Sequence, residues 1–300
     1  MSEIAQPVGR SAINLRQDVA VVQTLINDNL RKLSNVKPLK IDGIAGPKTL
    51  AAIEIFQKQV VKLARPDLRV DPGGPTWKAL LQVGCEPPEE NFPYDASTFQ
   101  LISQLAIPIR MYSQQFNVPP VAVAGSIADE YNTRRGIRVP LDWIQDNIWV
   151  NFATSAEFER DAKWGSSQKL FNLTKHDIGL ANVKVETAHE VYDEYRHTFP
   201  RYTMEYEDIV DYVRSDSGTI HVATLVIKKA ARELKPYSQG MSEEKVEGLY
   251  VSYYKEGPKY IYRFRNALAH DPSHRIEPGD GCRVVLQREN LQRALGLRSP

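Results

Sequence analysis

Residues Ile41 to Gln57 read IDGIAGPKTLAAIEIFQ, and this run decides the architecture of the front of the chain. Asp42-Gly43 is a turn signal, and Gly46-Pro47 leads into Thr49, Leu50, Ala52, Ile53 and Phe56 at helical spacing. Proline suits the first position of a helix, where its missing N–H costs nothing, so a helix with one apolar face is expected from Pro47 or Thr49 onward. Upstream, Val19, Val22, Gln23, Leu25, Ile26 and Leu30 repeat the i, i+3, i+4, i+7 pattern of a second amphipathic helix. Downstream, VDPGGPTWKALL (Val70 to Leu81) repeats the loop-then-helix order. These segments predict a small three-helix unit over residues 1–85.

The run D-G-x-x-G-P-K-T…A-I…F-Q resembles the peptidoglycan-binding domain appended to many cell-wall hydrolases. The resemblance spans about Val8 to Val83, and it implies binding to the bacterial cell wall. Composition is compatible with that partner. Up to Cys85 there are 12 Lys and Arg against 7 Asp and Glu, a net +5, and the remainder carries 26 against 30, a net −4. A basic front end suits an anionic wall polymer. No clustered basic face of the kind that binds nucleic acid is present, so no nucleic-acid partner is expected.

Three hundred residues, 42% hydrophobic and 25% charged, are enough for two ordinary globular domains. The first 15 residues, MSEIAQPVGRSAINL, hold no apolar core, and no run of 18 apolar residues occurs. Neither a secretory signal peptide nor membrane insertion is therefore expected. A wall-acting chain of this kind would be made in the cytoplasm and act in the periplasm, as phage lysis proteins and effectors of contact-dependent secretion machines do. Cys85 and Cys282 are the only cysteines. Two cysteines make no disulfide framework and show no zinc spacing, so free thiols are expected, with no metal and no cofactor.

CEPPEENFPYDAS (Cys85 to Ser97) reads as a linker, rich in proline and acids without periodicity. The chain then becomes strongly helical. Ser97 is a candidate N-cap for a helix carrying Phe99, Leu101, Ile102, Leu105 and Ile109, and Asn117 to Pro120 opens a short apolar helix, VAVAGSIADEYNTR. A mixed region with Trp143, Trp149 and Trp164 follows over 137–174. Helical patterns return at 187–197, 205–214, 219–234 and 242–254. The tail IEPGDGCRVVLQRENLQRALGL suggests a turn, a short strand and a last helix.

On a wheel of about 100° per residue, Ile127 falls near +40° of Val123, Glu130 near −20° and Asp129 near 240°, so Glu130 joins the apolar stripe and Asp129 faces away. A carboxyl on an apolar face has its acid form favoured, because desolvation penalises the charge. Glycosidases need such a group to protonate a glycosidic oxygen. The alternative is a glutamate salt-bridged at a helix end, with Arg134 as partner.

Three segments taken together resemble lysozyme-like muramidases and lytic transglycosylases, over about Ile109 to Ala267. Glu130, near the end of a short apolar helix, matches the catalytic glutamate. GLANVKVETA (Gly179 to Ala188) is similar to G-L-M-Q-I-x-P-x-T-A, with Asn182 in place of glutamine and Thr187-Ala188 at its end. YYKEGP (Tyr253 to Pro258) is similar to A-Y-N-x-G-P, with Tyr254 at the tyrosine and Lys255 in place of asparagine. Ala181 replaces methionine, and 49 residues separate Glu130 from Gly179, more than the family usually has.

The resemblance implies a mainly α chain: a three-helix peptidoglycan-binding domain over 1–85, a linker over 86–97 and a larger, mostly helical α+β lysozyme-like domain over 98–300. It implies cleavage of the MurNAc–GlcNAc backbone with Glu130 as acid and Asn182, Tyr254 and Thr187 on substrate. Hydrolysis usually needs a second carboxylate, about 5–5.5 Å away for retention or 6.5–9.5 Å for inversion. Asp177, before the Gly179 motif, is the first candidate and Asp142 the second, with Asp146 one turn on. A transglycosylase needs no second acid. An effector of this class would have an immunity protein and a secretion spike or tube component as partners. A phage-type lysin, a non-catalytic wall-binding protein and a stem-peptide peptidase remain alternatives. Against a peptidase stand the absence of HExxH and of GxSxG and the Pro/Glu surroundings of Cys85.

Overall fold

A computed structural model describes residues 4–82, 85, 93–133, 150, 153–165, 172–270 and 274–297. Fourteen α-helices are present among them: α1 (Arg16–Asp28), α2 (Pro47–Gln59), α3 (Pro75–Leu80), α4 (Ala96–Gln104), α5 (Ala106–Phe116), α6 (Pro120–Thr133) and α7 (Ser155–Trp164) in the first half. The second half holds α8 (Val185–Tyr195), α9 (Tyr206–Arg214), α10 (Asp216–Leu234), α11 (Glu243–Glu256), α12 (Pro258–His270), α13 (Cys282–Leu286) and α14 (Arg288–Ala294). Strands are confined to two antiparallel pairs, β1 (Val8–Gly9) with β2 (Arg69–Val70) and β3 (Asp177–Ile178) with β4 (Val183–Lys184). With 65% of the chain helical and 3% in strands, the expected mainly α class holds. No described helix is long and apolar enough to cross a membrane.

The chain forms two compact units that cut across the contiguous division expected from the linker at 86–97. One joins 1–88 to 234–252 and 256–286; the other joins 89–233 to 253–255 and 287–300. Composition marks where periodicity lapses. It carries no information on which distant segments share a core.

In the first unit, Val19, Val22, Leu25 and Ile26 of α1, Ile53 and Phe56 of α2, Val70, and Trp77 and Leu80 of α3 form one buried cluster. Pro47, one of the two expected starts, opens α2, and Pro75 opens α3. Two buried glutamines repeat one device. Gln23 donates to the Asp42 carboxylate (3.0 Å), the Ile44 carbonyl (3.1 Å) and the Thr49 hydroxyl (3.1 Å), and accepts from the Gly43 amide (3.0 Å). Gln57 donates to the Asp67 carboxylate (2.6 Å), the Arg69 carbonyl (2.9 Å) and the Thr76 hydroxyl (3.1 Å), and accepts from the Leu68 amide (2.9 Å). Each amide thus ties the helix that carries it to an Asp-led loop and to a threonine in the first turn of the next helix. The residue after each aspartate is left-handed: Gly43 at φ 70° and Leu68 at φ 61°. Loop and helix therefore occur twice, which is the echo heard in the sequence. Gln57→Leu strips several buried polar groups of their partner, so it is expected to lower stability by about 1–3 kcal/mol in urea unfolding. An unchanged midpoint would remove this role.

The C-terminal segments complete this unit. Asp28 is 4% exposed and accepts from the Ser242 amide (2.9 Å), and Lys245 donates to the Asp28 carbonyl (3.3 Å) and pairs with Glu277 (3.2 Å). Burial pushes the Asp28 carboxyl above its ordinary range, and Lys245 opposes that shift. Cys85 and Cys282 form a disulfide with a Cα–Cα distance of 5.1 Å, which corrects the expectation of free thiols. Their separation of 197 residues hides the pairing from a linear reading.

Several local expectations are also corrected. The helix expected to run through Ile109 breaks at Leu105, because Pro108 can sit only in the first turn of a new helix. The N-cap of α4 is Asp95 rather than Ser97. Cys282–Leu286 is helical, not a strand: Val284 and Val285 pack into the interior, and that packing overrides their β-propensity. Helix α12 was not expected at all. Pro258 opens it, and Tyr260, Ile261 and Phe264 form its buried face.

Candidate active site

The site lies within the second unit and is built around α6. Asn117, left-handed at φ 54°, ends α5, and the Pro119-Pro120 pair restarts the chain as α6. Residues Val121 to Asp129 of α6 are all buried, so this helix has no solvated face over two turns. The wheel therefore misplaces Asp129: it lies in the interior with 0% exposure, not on an open side. An apolar stripe predicts which face is inside only when the other face meets water, and α4, α5 and α14 all pack on α6. Asn132 accepts from the Asp95 amide (3.0 Å) and the Thr98 hydroxyl (3.1 Å), which fixes the start of α4 against the end of α6.

Glu130, in the last turn of α6, has a side chain 13% exposed. The β3–β4 hairpin reaches it from 52 residues further along: Asn182 Nδ2 donates to Glu130 Oε2 at 3.0 Å. Hairpin geometry makes this possible. Gly179 takes φ 70°, and a Cβ there would lie 2.5 Å from the Val213 carbonyl oxygen, so only glycine fits against α9. Ala181 is clamped on both sides, its amide donating to Thr219 Oγ1 (3.2 Å) and its carbonyl accepting from the Tyr254 hydroxyl (2.7 Å). With Ala181 held, Asn182 at φ 53° is aimed at Glu130. Residues 130, 179–182 and 254, distant in sequence, thus meet in one place.

Charge surrounds this carboxyl. Lys255 Nζ lies 3.9 Å from Glu130 Oε1 and pairs more closely with Asp129. Asp129 also accepts from the Tyr94 hydroxyl at 3.0 Å. Asp177 on β3 pairs with Lys184 across the hairpin at 3.7 Å. Burial holds the Glu130 carboxyl above its ordinary range. Lys255 opposes that shift, Asp129 and Asp177 reinforce it, and the Asn182 hydrogen bond opposes it. A carboxyl in these surroundings has its protonated form favoured over that of a free glutamate.

Of the residues singled out from sequence, Glu130, Asn182 and Tyr254 are brought together, and Asp177 is near enough to act on Glu130 electrostatically. Thr187 is half-buried in the first turn of α8, and none of these hydrogen bonds includes it. Asp142, Asp146, Trp143 and Trp149 lie outside the described residues. Asp129, Lys255 and Tyr94 were missed. Lys255 was visible only as a departure from a motif, and Tyr94 fell in the stretch assigned to the linker. No group of three or more potential metal ligands occurs among the described residues.

No family model, curated protein or solved structure matches this chain.

Proposed function

We propose that the chain is a peptidoglycan hydrolase that cuts the glycan backbone between N-acetylmuramic acid and N-acetylglucosamine, with Glu130 as general acid. The observation that carries this reading is the 3.0 Å hydrogen bond from Asn182 to Glu130, which joins two motif segments read independently from the sequence. In the proposed reaction the C1–O bond of the muramic acid breaks as Glu130 gives its proton to the departing oxygen. Water adds at C1, and its proton returns to the site. Asn182 holds the acid's carboxyl, and Tyr254 braces the hairpin that carries Asn182. Asp177 is the proposed second carboxylate.

A lytic transglycosylase is the second reading, favoured by a specific feature: both nearby carboxylates are engaged, Asp129 with Tyr94 and Lys255, and Asp177 with Lys184. An ion-paired carboxylate is a weak base toward water. In that case the 6-hydroxyl of the muramic acid closes on C1, its proton passes to Glu130, which was ionised in the first step, and an anhydro end is left.

Wall binding is proposed for the first unit, consistent with an open depression of about 400 Å³ lined by Arg16, Gln17, Ala20, Ile41, Asp42 and Gly43, beside Ile44, which is 63% exposed. Delivery as an antibacterial effector, countered by an immunity protein, belongs to the same proposal.

The test is mass spectrometry of sacculi digested with the full chain. Reducing muramic acid ends are expected. Anhydro ends would establish the second reading, and intact glycan with released peptides, or no release, would overturn both.

A further inference from the structure

Lys255 stands where the resembled motif has asparagine, and its surroundings give that difference a role. Its ammonium pairs with Asp129 on one side and lies 3.9 Å from Glu130 on the other. All three side chains are largely withdrawn from water, with exposures of 16% for Lys255, 0% for Asp129 and 13% for Glu130. Asp129 is anchored by the Tyr94 hydroxyl, and Glu130 by Asn182. We propose that Lys255 is a positioning residue for the acid, a cation shared by Asp129 and Glu130 whose allocation between them tunes the protonation of Glu130. The proposal rests on the reading of Glu130 as the acid of the site.

Among the described residues, Lys255 of α11, Asp129 of α6 and Asp177 of β3 act on Glu130, and Asp177 in turn pairs with Lys184 of β4. Asp129 holds Lys255 at close range. Once Glu130 is ionised, the same ammonium is already within 4 Å of the new charge and meets it with a small movement. An asparagine at position 255 could hydrogen-bond but could not supply this charge.

Opposite effects from two neighbouring substitutions test the idea. In Asp129→Asn, Lys255 loses its closer partner and turns to Glu130, so the Glu130 carboxyl should titrate lower. In Lys255→Met the cation is gone, and Glu130 should titrate higher. An opposite charge at this range moves a carboxyl by about 1–3 units, and shifts near the lower end are expected in each direction. The double variant removes both influences and should titrate within about half a unit of the parent. Lys255→Arg keeps the charge and should resemble the parent.

The direct readout is the NMR titration of the Glu130 side-chain carboxyl carbon in 13C-glutamate-labelled full-length protein. It needs no substrate. In parallel, the alkaline limb of the pH–rate profile on sacculi should move with that midpoint. Should Lys255→Met fail to fold, Asp129→Asn and the double variant still decide. An unmoved Glu130 midpoint in Asp129→Asn, or shifts of the same sign in both single variants, would overturn the shared cation. Absence of glycan cleavage by the parent would instead remove the function proposed for the site and leave the titration result standing.

Discussion

Glu130→Gln is expected to lower glycan cleavage by at least the roughly 10²–10⁴-fold that a positioned general acid supplies, with the fold intact. The amide keeps the shape of the side chain and can still accept the hydrogen bond from Asn182 Nδ2. It cannot give up a proton to a departing sugar oxygen. Stability should not fall, and the sign follows from the direction of the shift. The Glu130 carboxyl is held above its ordinary range, with burial as the main cause. The folded state therefore favours the acid form, and whatever stability it gives is fully present below the unfolded pKa and lost as pH rises through the folded one. At neutral pH the parent has already lost some or all of it, and the variant has no such charge to bury. Muropeptide release and thermal unfolding, measured on the same preparation at pH 7, check both halves. A variant as active as the parent would sink the assignment of the acid. A variant inactive because it is unfolded would show that Glu130 is structural.

The other large effect belongs to the first unit. Cys85→Ala with Cys282→Ala should cost about 2–5 kcal/mol, since a crosslink restrains the unfolded chain more as the loop it closes grows. The two residues are 197 apart in sequence. Cys85 is buried, its carbonyl accepts from Lys32 Nζ at 3.1 Å, and Cys282 and Val285 pack on the core of α1–α3. Urea unfolding of the variant should match that of the parent under full reduction, and both should lie below the oxidised parent. Coincident curves for all three would show that packing alone holds this unit. A reducing compartment would keep the pair as thiols and the unit correspondingly weaker.

How far the sequence discloses this molecule can be read from particular residues. Helices α2 and α3 were legible because Gly-Pro pairs punctuate them and their apolar spacing is regular. The convergence of Glu130, Asn182 and Tyr254 was legible only as three segments in order, since no spacing rule says that a hairpin tip will touch the end of α6. Asp129 was misread because helical periodicity assumes one wet face, and α6 has none over two turns. Lys255 was passed over because a substitution in a motif looks like damage until its neighbours are seen. Tyr94 lies in a stretch whose prolines and acids suggested a spacer, and its hydroxyl nevertheless anchors Asp129. Burial against distant elements and pairing across nearly two hundred residues are properties of the assembled chain.

The discontinuity of the first unit has a consequence for how the protein is born. Its amino-terminal part leaves the ribosome complete with α1, α2 and α3, yet the residues that finish its core lie beyond 234, with 89–233 still to be made. At about 5–20 residues per second, the wait until Leu286 emerges is on the order of ten seconds or more. Throughout that interval the surface destined for Val285 and its neighbours is bare, and the Cys85 thiol has no cognate partner. The front of this unit thus waits on segments made much later. Its exposure time is set by the speed of translation over the segments that follow, which makes slow codons there, or a chaperone that shields the nascent amino-terminal helices, levers on the yield of correctly paired protein.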